Sequence, residues 1–315
     1  MYAKPNFLLI TTDQQRADHL GCYGNGQIRT PHIDALAHRG RRFDRFYVAT
    51  GVCMANRASL MTGRMPSVHG TRCNGIPLAR NATTFVDLLR DDGYFTGLVG
   101  KCHLQNMTDL PPEAPREAVP PGMAPPQAHH ADAVKDRWSE GRYDMELVKA
   151  WRENPSHQVQ TPYYGFDTVR LCTHHGDMVN GEYARWLQAI TGDIEQIRGP
   201  NNAIPDARYT APQAYRTRVP EHLYPSAWVG DRAEEFLDAA AHSGQPFFLH
   251  CSFADPHHPF TPPGKYWDMY NPDDMVLPRS FYQAADASFA PVNALHRERA
   301  QGRGHKPHCA LRRLV

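Results

Sequence analysis

Phe7-Leu8-Leu9-Ile10-Thr11-Thr12-Asp13-Gln14 is an apolar run that breaks abruptly into polar residues. A short run bounded in this way reads as a buried strand of a parallel sheet. The pattern recurs twice. Phe95-Thr96-Gly97-Leu98-Val99 leads into Gly100-Lys101-Cys102-His103, and Pro246-Phe247-Phe248-Leu249-His250-Cys251-Ser252-Phe253 leads into Asp255-Pro256-His257-His258-Pro259. Between these runs lie segments with helix punctuation. Thr30-Pro31 opens one that stops at Gly40, and Thr83-Thr84 opens another that stops at Gly93. A third runs from about Val229 to Ser243, and Tyr163 to Val169 reads as a further return into the sheet. Alternating strands and helices predict an α/β fold with a mostly parallel central sheet flanked by helices. In such sheets ligands gather at the carboxyl ends of strands, so the three polar termini are expected to converge.

Composition narrows the function. The chain has 315 residues, enough for one large core or two modest ones. Lys and Arg number 34 against 33 Asp and Glu, a net charge of +1, which argues against nucleic acid as a partner. No apolar run reaches membrane-spanning length and no signal-like segment precedes the first strand, so the expectation is a cytoplasmic protein without a membrane partner. The seven cysteines are scattered and odd in number, which reads as reduced thiols. The 18 histidines show no finger-like spacing with cysteine. Residues 1–315 are taken as one domain, with a Pro-rich insertion at about 109–136 that holds Pro111, Pro112, Pro115, Pro120, Pro121, Pro125 and Pro126.

Chemistry concentrates in Val52-Cys53-Met54-Ala55-Asn56-Arg57-Ala58-Ser59-Leu60-Met61-Thr62-Gly63-Arg64. Cys53 stands where a loop enters a helix. Arg57, four residues on, shares its face and can bring a guanidinium beside the thiol. The helix start adds unpaired N–H groups and the positive end of a dipole. A nucleophile, a cation and free donors at one point suit an anionic tetrahedral ester. Asp13, at a strand end, suits a hard cation, although a lone aspartate there also serves turns and caps. A cysteine-phosphatase pattern is excluded, because position 59 is serine rather than arginine.

The string from Cys53 to Arg64 resembles the signature of the sulfatase family, Cys-x-Pro-x-Arg followed by small-Ser-Leu-x-Thr-Gly, with Ala55 where proline is usual. The resemblance extends from about Asn6 to His103 and from Pro246 to Pro263. It implies an alkaline-phosphatase-like fold in which Cys53 is oxidised to formylglycine by a maturation enzyme. One hydroxyl of the hydrated aldehyde would attack sulfur and the second would release sulfate. By the same resemblance Asp13, Gln14 and position 53 are metal ligands, for calcium or else manganese. Lys101 and His103 match the family's Lys-x-His pair at the oxyanion, and two residues apart on an extended chain they would share one side. His257, in Pro256-His257-His258-Pro259-Phe260, is expected to serve the leaving oxygen, with His258 pointing elsewhere. Asn74 matches a substrate-binding asparagine of the phosphonate hydrolase branch, while Asn74-Gly75 also reads as a turn.

The family's second metal-binding pair, Asp-His or Asp-Asn before glycine on a later strand, has no counterpart here. The expectation is therefore the N-terminal portion of the catalytic domain, stopping at Ala310 to Val315 before the later strands and the small C-terminal subdomain. Hydrolysis of a small-molecule sulfate ester leads. The alternatives are a phosphonate or phosphodiester hydrolase on the same scaffold and an inactive sulfatase-like protein. A homo-oligomer is left open.

Overall fold

Strands β1 (Phe7–Thr11), β2 (Phe95–Lys101), β3 (Thr168–Thr173), β4 (Asn180–Gly181) and β5 (Phe247–Ser252) form one sheet in the order β1-β5-β2-β3-β4. The first four in that order run parallel, and the two-residue β4 closes the edge antiparallel to β3. The computed structural model describes residues 4–110, Gly122 and residues 141–277. Most of the Pro-rich stretch and residues 310–315 lie outside the described residues.

Successive residues of each central strand feed opposite cores, as the two-residue period of a strand requires. Leu98, Leu171 and Phe248 join Ala58 and Met61 of α2 (Cys53–Thr62) and Val86 of α4 (Phe85–Asp91). Their neighbours Val99, Cys172 and Leu249 join Tyr183 and Leu187 of α6 (Glu182–Thr191) and Trp228, Val229 and Phe236 of α7 (Pro225–Ser243). The α7 helix begins four residues earlier than the sequence suggested, because Pro225 at its first position suits a helix start. Thr84 and Asp87 close a capping box at the start of α4.

Two glycines let the central strands pack this closely. A Cβ at Gly97 would sit 2.2 Å from the Phe236 ring, which stacks on Phe95 at 4.9 Å. Gly100 has φ +103°, and a Cβ there would collide with the carbonyl oxygen of Ser252. That contact draws the end of β2 against the end of β5.

The first run of the sequence is corrected on one point. β1 is not buried: Phe7, Leu8 and Ile10 are 43–51% exposed. It pairs with β5 alone, so one side of it lacks a described neighbour. An apolar run marks a strand, but does not separate an edge from a centre. Among the described residues no helix is long and apolar enough to cross a membrane.

His250 lies inside β5, with a ring nitrogen 3.0 Å from Thr11 Oγ1. Burial pushes its pKa down to about 3, and Arg57 adds to the effect. Between that value and the unfolded value near 6.5, the unfolded chain holds the extra proton, so stability rises with pH. It is fully present above 6.5 and lost as pH falls toward 3. We expect His250 alone to remove about 2 kcal/mol between pH 7 and pH 5. Urea unfolding at both pH values should show His250→Gln flattening the pH dependence by that amount; an unchanged slope would refute the assignment.

Candidate active site

Five segments deliver side chains to the carboxyl end of the sheet: the loop after β1, the N-terminus of α2, the end of β2, the loop after β3 and the turn after β5. Asp13 follows β1, and its backbone N–H donates to Asp255 O at 3.1 Å. Its carboxylate is buried and receives the Lys101 ammonium, with Arg57 Nη2 3.5 Å away. Burial raises the Asp13 pKa, but Lys101 and Arg57 outweigh it and hold the group below its ordinary value. Two cations face one carboxylate, leaving an excess of positive charge.

Lys101 is the last residue of β2 and is completely buried. Its ammonium also meets His175 Nε2. Burial and Arg57 lower the Lys101 pKa, while Asp13 and Cys53 pull it upward. As an ammonium Lys101 has donors only, so it donates to the Asp13 carboxylate and to His175 Nε2.

Arg57 departs from the expected geometry. Its guanidinium donates to Lys101 O at 2.7 Å and Ser252 Oγ at 2.9 Å, so it grips the strand ends and the Asp13 side of the site. Cys53, at the first position of α2, bonds instead to Asn74: Sγ lies 3.4 Å from Oδ1, which also accepts from Met54 N. Asn74 thus lies beside Cys53 and forms the expected turn with Gly75, whose φ is +92°.

His103 is not on extended backbone. Its φ is +56°, so the argument from strand alternation does not hold. A buried carboxylate fixes the turn instead: Glu146 accepts from the N–H groups of His103 (2.6 Å), Leu104 (2.9 Å) and Gln105 (3.0 Å), and from Tyr163 OH (2.9 Å). Burial, then Lys101 and Arg57, hold the His103 pKa well below its ordinary value, so the ring is neutral at pH 7.

His257 and His258 also differ from expectation, because they sit in a bend rather than an extended segment. Their ring centroids are 4.2 Å apart, and His258 lies within electrostatic reach of Asp13 and Lys101. His257 Nδ1 donates to His258 O at 2.6 Å, since a carbonyl can only accept; Nε2 is left for another partner. The His257 ring also stacks on His175 at 3.7 Å.

His175 and Glu146 were absent from the sequence reading. His175 was detectable: it stands two residues past β3, and the strand-end rule applies there once the strand is carried on to Thr173.

The expected metal ligands do not assemble a site. Gln14 is exposed with φ +59°, and Asp13 and Cys53 have the partners given above. Among the described residues no three His, Cys, Asp or Glu side chains converge on a metal position. A hard divalent cation takes about six to eight oxygens. This donor set does not fit one, and the Lys101 ammonium supplies the positive charge beside Asp13.

Most of the chain is similar to proteins of one family. The sulfatase family model matches residues 5–293. An arylsulfatase of Clostridium perfringens is 29% identical over 282 residues, 87% of this chain and 48% of that protein. A steryl-sulfatase of Rattus norvegicus is 43% identical over 111 residues, 32% of this chain and 19% of its own length. Among solved structures, a phosphonate monoester hydrolase of Agrobacterium radiobacter aligns with a TM-score of 0.58 and 26% identity, over 87% of this chain and 45% of the other. The chain thus spans about half, or less, of the length of the relatives it matches. A sulfatase family model that covers most of the sequence leaves one conclusion: this chain belongs to the sulfatase family.

Proposed function

We propose that this chain acts in the hydrolysis of sulfate esters through position 53, as formylglycine. The observation that carries the reading is the excess of cations, Lys101 and Arg57 against Asp13, beside the N-terminus of the helix that begins at Cys53. A site of that charge favours an anion, and the helix start adds donors and dipole. Position 53 fits the modified residue: its side chain is partly exposed, and Asn74 Oδ1 already accepts from it. When present, formylglycine supplies a hydrated aldehyde with one hydroxyl for attack and one for product release.

The other roles belong to this chain's own side chains. Lys101 holds an oxygen of the anionic ester by hydrogen bond and charge. Arg57 fixes the carbonyl of Lys101 and the hydroxyl of Ser252, and so keeps the ammonium in place. Burial lowers the His257 pKa in the free chain. An anionic ester beside it raises that pKa again, and the charged ring gives its proton to the leaving oxygen. His175 holds the His257 ring by stacking and accepts from Lys101, which couples the acid to the oxyanion donor.

A phosphonate ester is the second reading, favoured by the similarity to the Agrobacterium radiobacter hydrolase. Sulfuryl and phosphoryl oxyanions ask for the same donors. Mass spectrometry of the tryptic peptide 46–57, with para-nitrophenyl sulfate and phenylphosphonate assayed in parallel, tests both. We expect a peptide lighter than the cysteine form and faster turnover of the sulfate. Undiminished turnover by Cys53→Ala would overturn the reading.

A further inference from the structure

We propose that Ser252 and Thr11 are positioning residues: they hold the Arg57 guanidinium open toward an anionic ester and keep it from closing on Asp13. The proposal rests on the hydrolase reading above and adds two residues to that site.

Its first support is the polar row in β5. Phe248, His250 and Ser252 alternate along the strand toward α2, and Phe248 packs there with Ala58 and Met61. His250 and Ser252 continue the row as polar side chains, 2% and 0% exposed. A buried polar group in a central strand is tolerated only with a hydrogen-bond partner. Thr11, the last residue of β1, stands opposite Ser252 in the strand register.

Counting hydrogens gives these contacts a direction. Thr11 Oγ1 donates to Ser252 Oγ at 3.1 Å. Its one hydrogen is then committed, so Thr11 accepts from His250 Nε2 at 3.0 Å. Ser252 Oγ also accepts from Arg57 Nη1 at 2.9 Å. Arg57 therefore meets an oxygen already oriented by Thr11, and not a hydroxyl free to rotate.

The consequence lies on the other side of the guanidinium. Nη1 donates to both Ser252 Oγ and Lys101 O, and Nη2 is left 3.5 Å from Asp13. That gap exceeds the about 2.7–2.9 Å of a closed bond between charged nitrogen and carboxylate. An Arg57 released from Ser252 can turn and close it, and the carboxylate then neutralises its charge. Held back, Arg57 keeps that charge available beside Lys101.

Nitrogen-15 spectra of arginine-labelled protein report the guanidinium directly, and calorimetric titration with inorganic sulfate reports the anion site; neither needs turnover. Wild type should give separate Nη signals for Arg57, identified by their loss in Arg57→Lys. Ser252→Ala should move those signals and weaken sulfate binding about tenfold. Thr11→Val, close in shape but without the hydroxyl, should weaken it about threefold, whereas Thr11→Ser should bind as wild type does. With para-nitrophenyl sulfate, Ser252→Ala should raise KM about tenfold and change kcat less than about threefold, because the interaction lost is one of binding. Arg57 signals or sulfate affinity unchanged in Ser252→Ala, equal losses in Thr11→Ser and Thr11→Val, or a fall in kcat at constant KM would each overturn the proposal. If Ser252→Ala does not fold, the two Thr11 variants decide by the same titration. Sulfate binding and Arg57 signals that respond as described, with no ester cleaved by wild type, defeat the hydrolase and leave the positioning role. Cleavage by wild type, with the Arg57 signals unmoved in Ser252→Ala, defeats the positioning role and leaves the hydrolase.

Discussion

Glu146→Ala is expected to cost at least about 4 kcal/mol of folding stability, a large part of what a domain possesses. The side chain is fully buried and accepts four hydrogen bonds, from the N–H groups of His103, Leu104 and Gln105 and from Tyr163 OH. Each donor orphaned in the interior costs about 1–3 kcal/mol, and water entering the vacated space recovers only part of the sum. Urea unfolding measures the loss. Glu146→Gln separates stability from function. Its amide oxygen can replace Oε1 and keep three donors, but its NH2 then faces the His103 N–H. We expect a loss of about 1–3 kcal/mol together with a larger fall in kcat, because His103 depends on that bond for its left-handed turn. Tyr163→Phe removes one donor only and should cost about 1 kcal/mol with kcat preserved. Wild-type stability in Glu146→Ala would show that the four contacts are not made in solution.

The contrast between Glu146 and Asp13 shows what the sequence could convey. Asp13, Lys101 and His257 each follow an apolar run, and a change of polarity at a strand end is local information. β3 was harder. Of Thr168-Val169-Arg170-Leu171-Cys172-Thr173 only the last three are buried, so the run lacks the continuous apolar character of a central strand, and His175 beyond it went unmarked. Glu146 pairs with backbone groups 41 to 43 residues earlier, which no spacing rule encodes. The destination of Arg57 has the same origin. Helical spacing put it on the face of Cys53, but the long side chain was drawn past that residue to the carbonyl of Lys101 and the hydroxyl of Ser252. The turns at His103 and His257 defeated strand alternation for a related reason: positive φ and bends are set by the tertiary partners that hold them.

Lys101→Met is expected to lower kcat/KM for an aryl sulfate by about a hundredfold to a thousandfold, the usual loss when one preorganised donor to a developing negative charge is removed. It should also destabilise the chain. Breaking a buried pair leaves a charge uncompensated at a cost of about 3–5 kcal/mol, and Arg57, 3.5 Å from Asp13, should reduce that to about 2 kcal/mol here. The two effects arise from different partners of one ammonium, so a second substitution separates them. In Asp13→Asn with Lys101→Met the buried carboxylate is gone, and Arg57 keeps its bonds to the carbonyl of residue 101 and to Ser252. The double variant should recover about 1–2 kcal/mol of the stability lost in Lys101→Met and none of the lost activity. Thermal melts of wild type with added sulfate supply the binding half of the argument. Sulfate should raise Tm relative to chloride at matched ionic strength, and Lys101→Met should abolish that rise, since an anion that binds only the folded chain stabilises it by mass action. A double variant that regains activity along with stability would mean that Lys101 acts only as the partner of Asp13, and the oxyanion role assigned to it would fall.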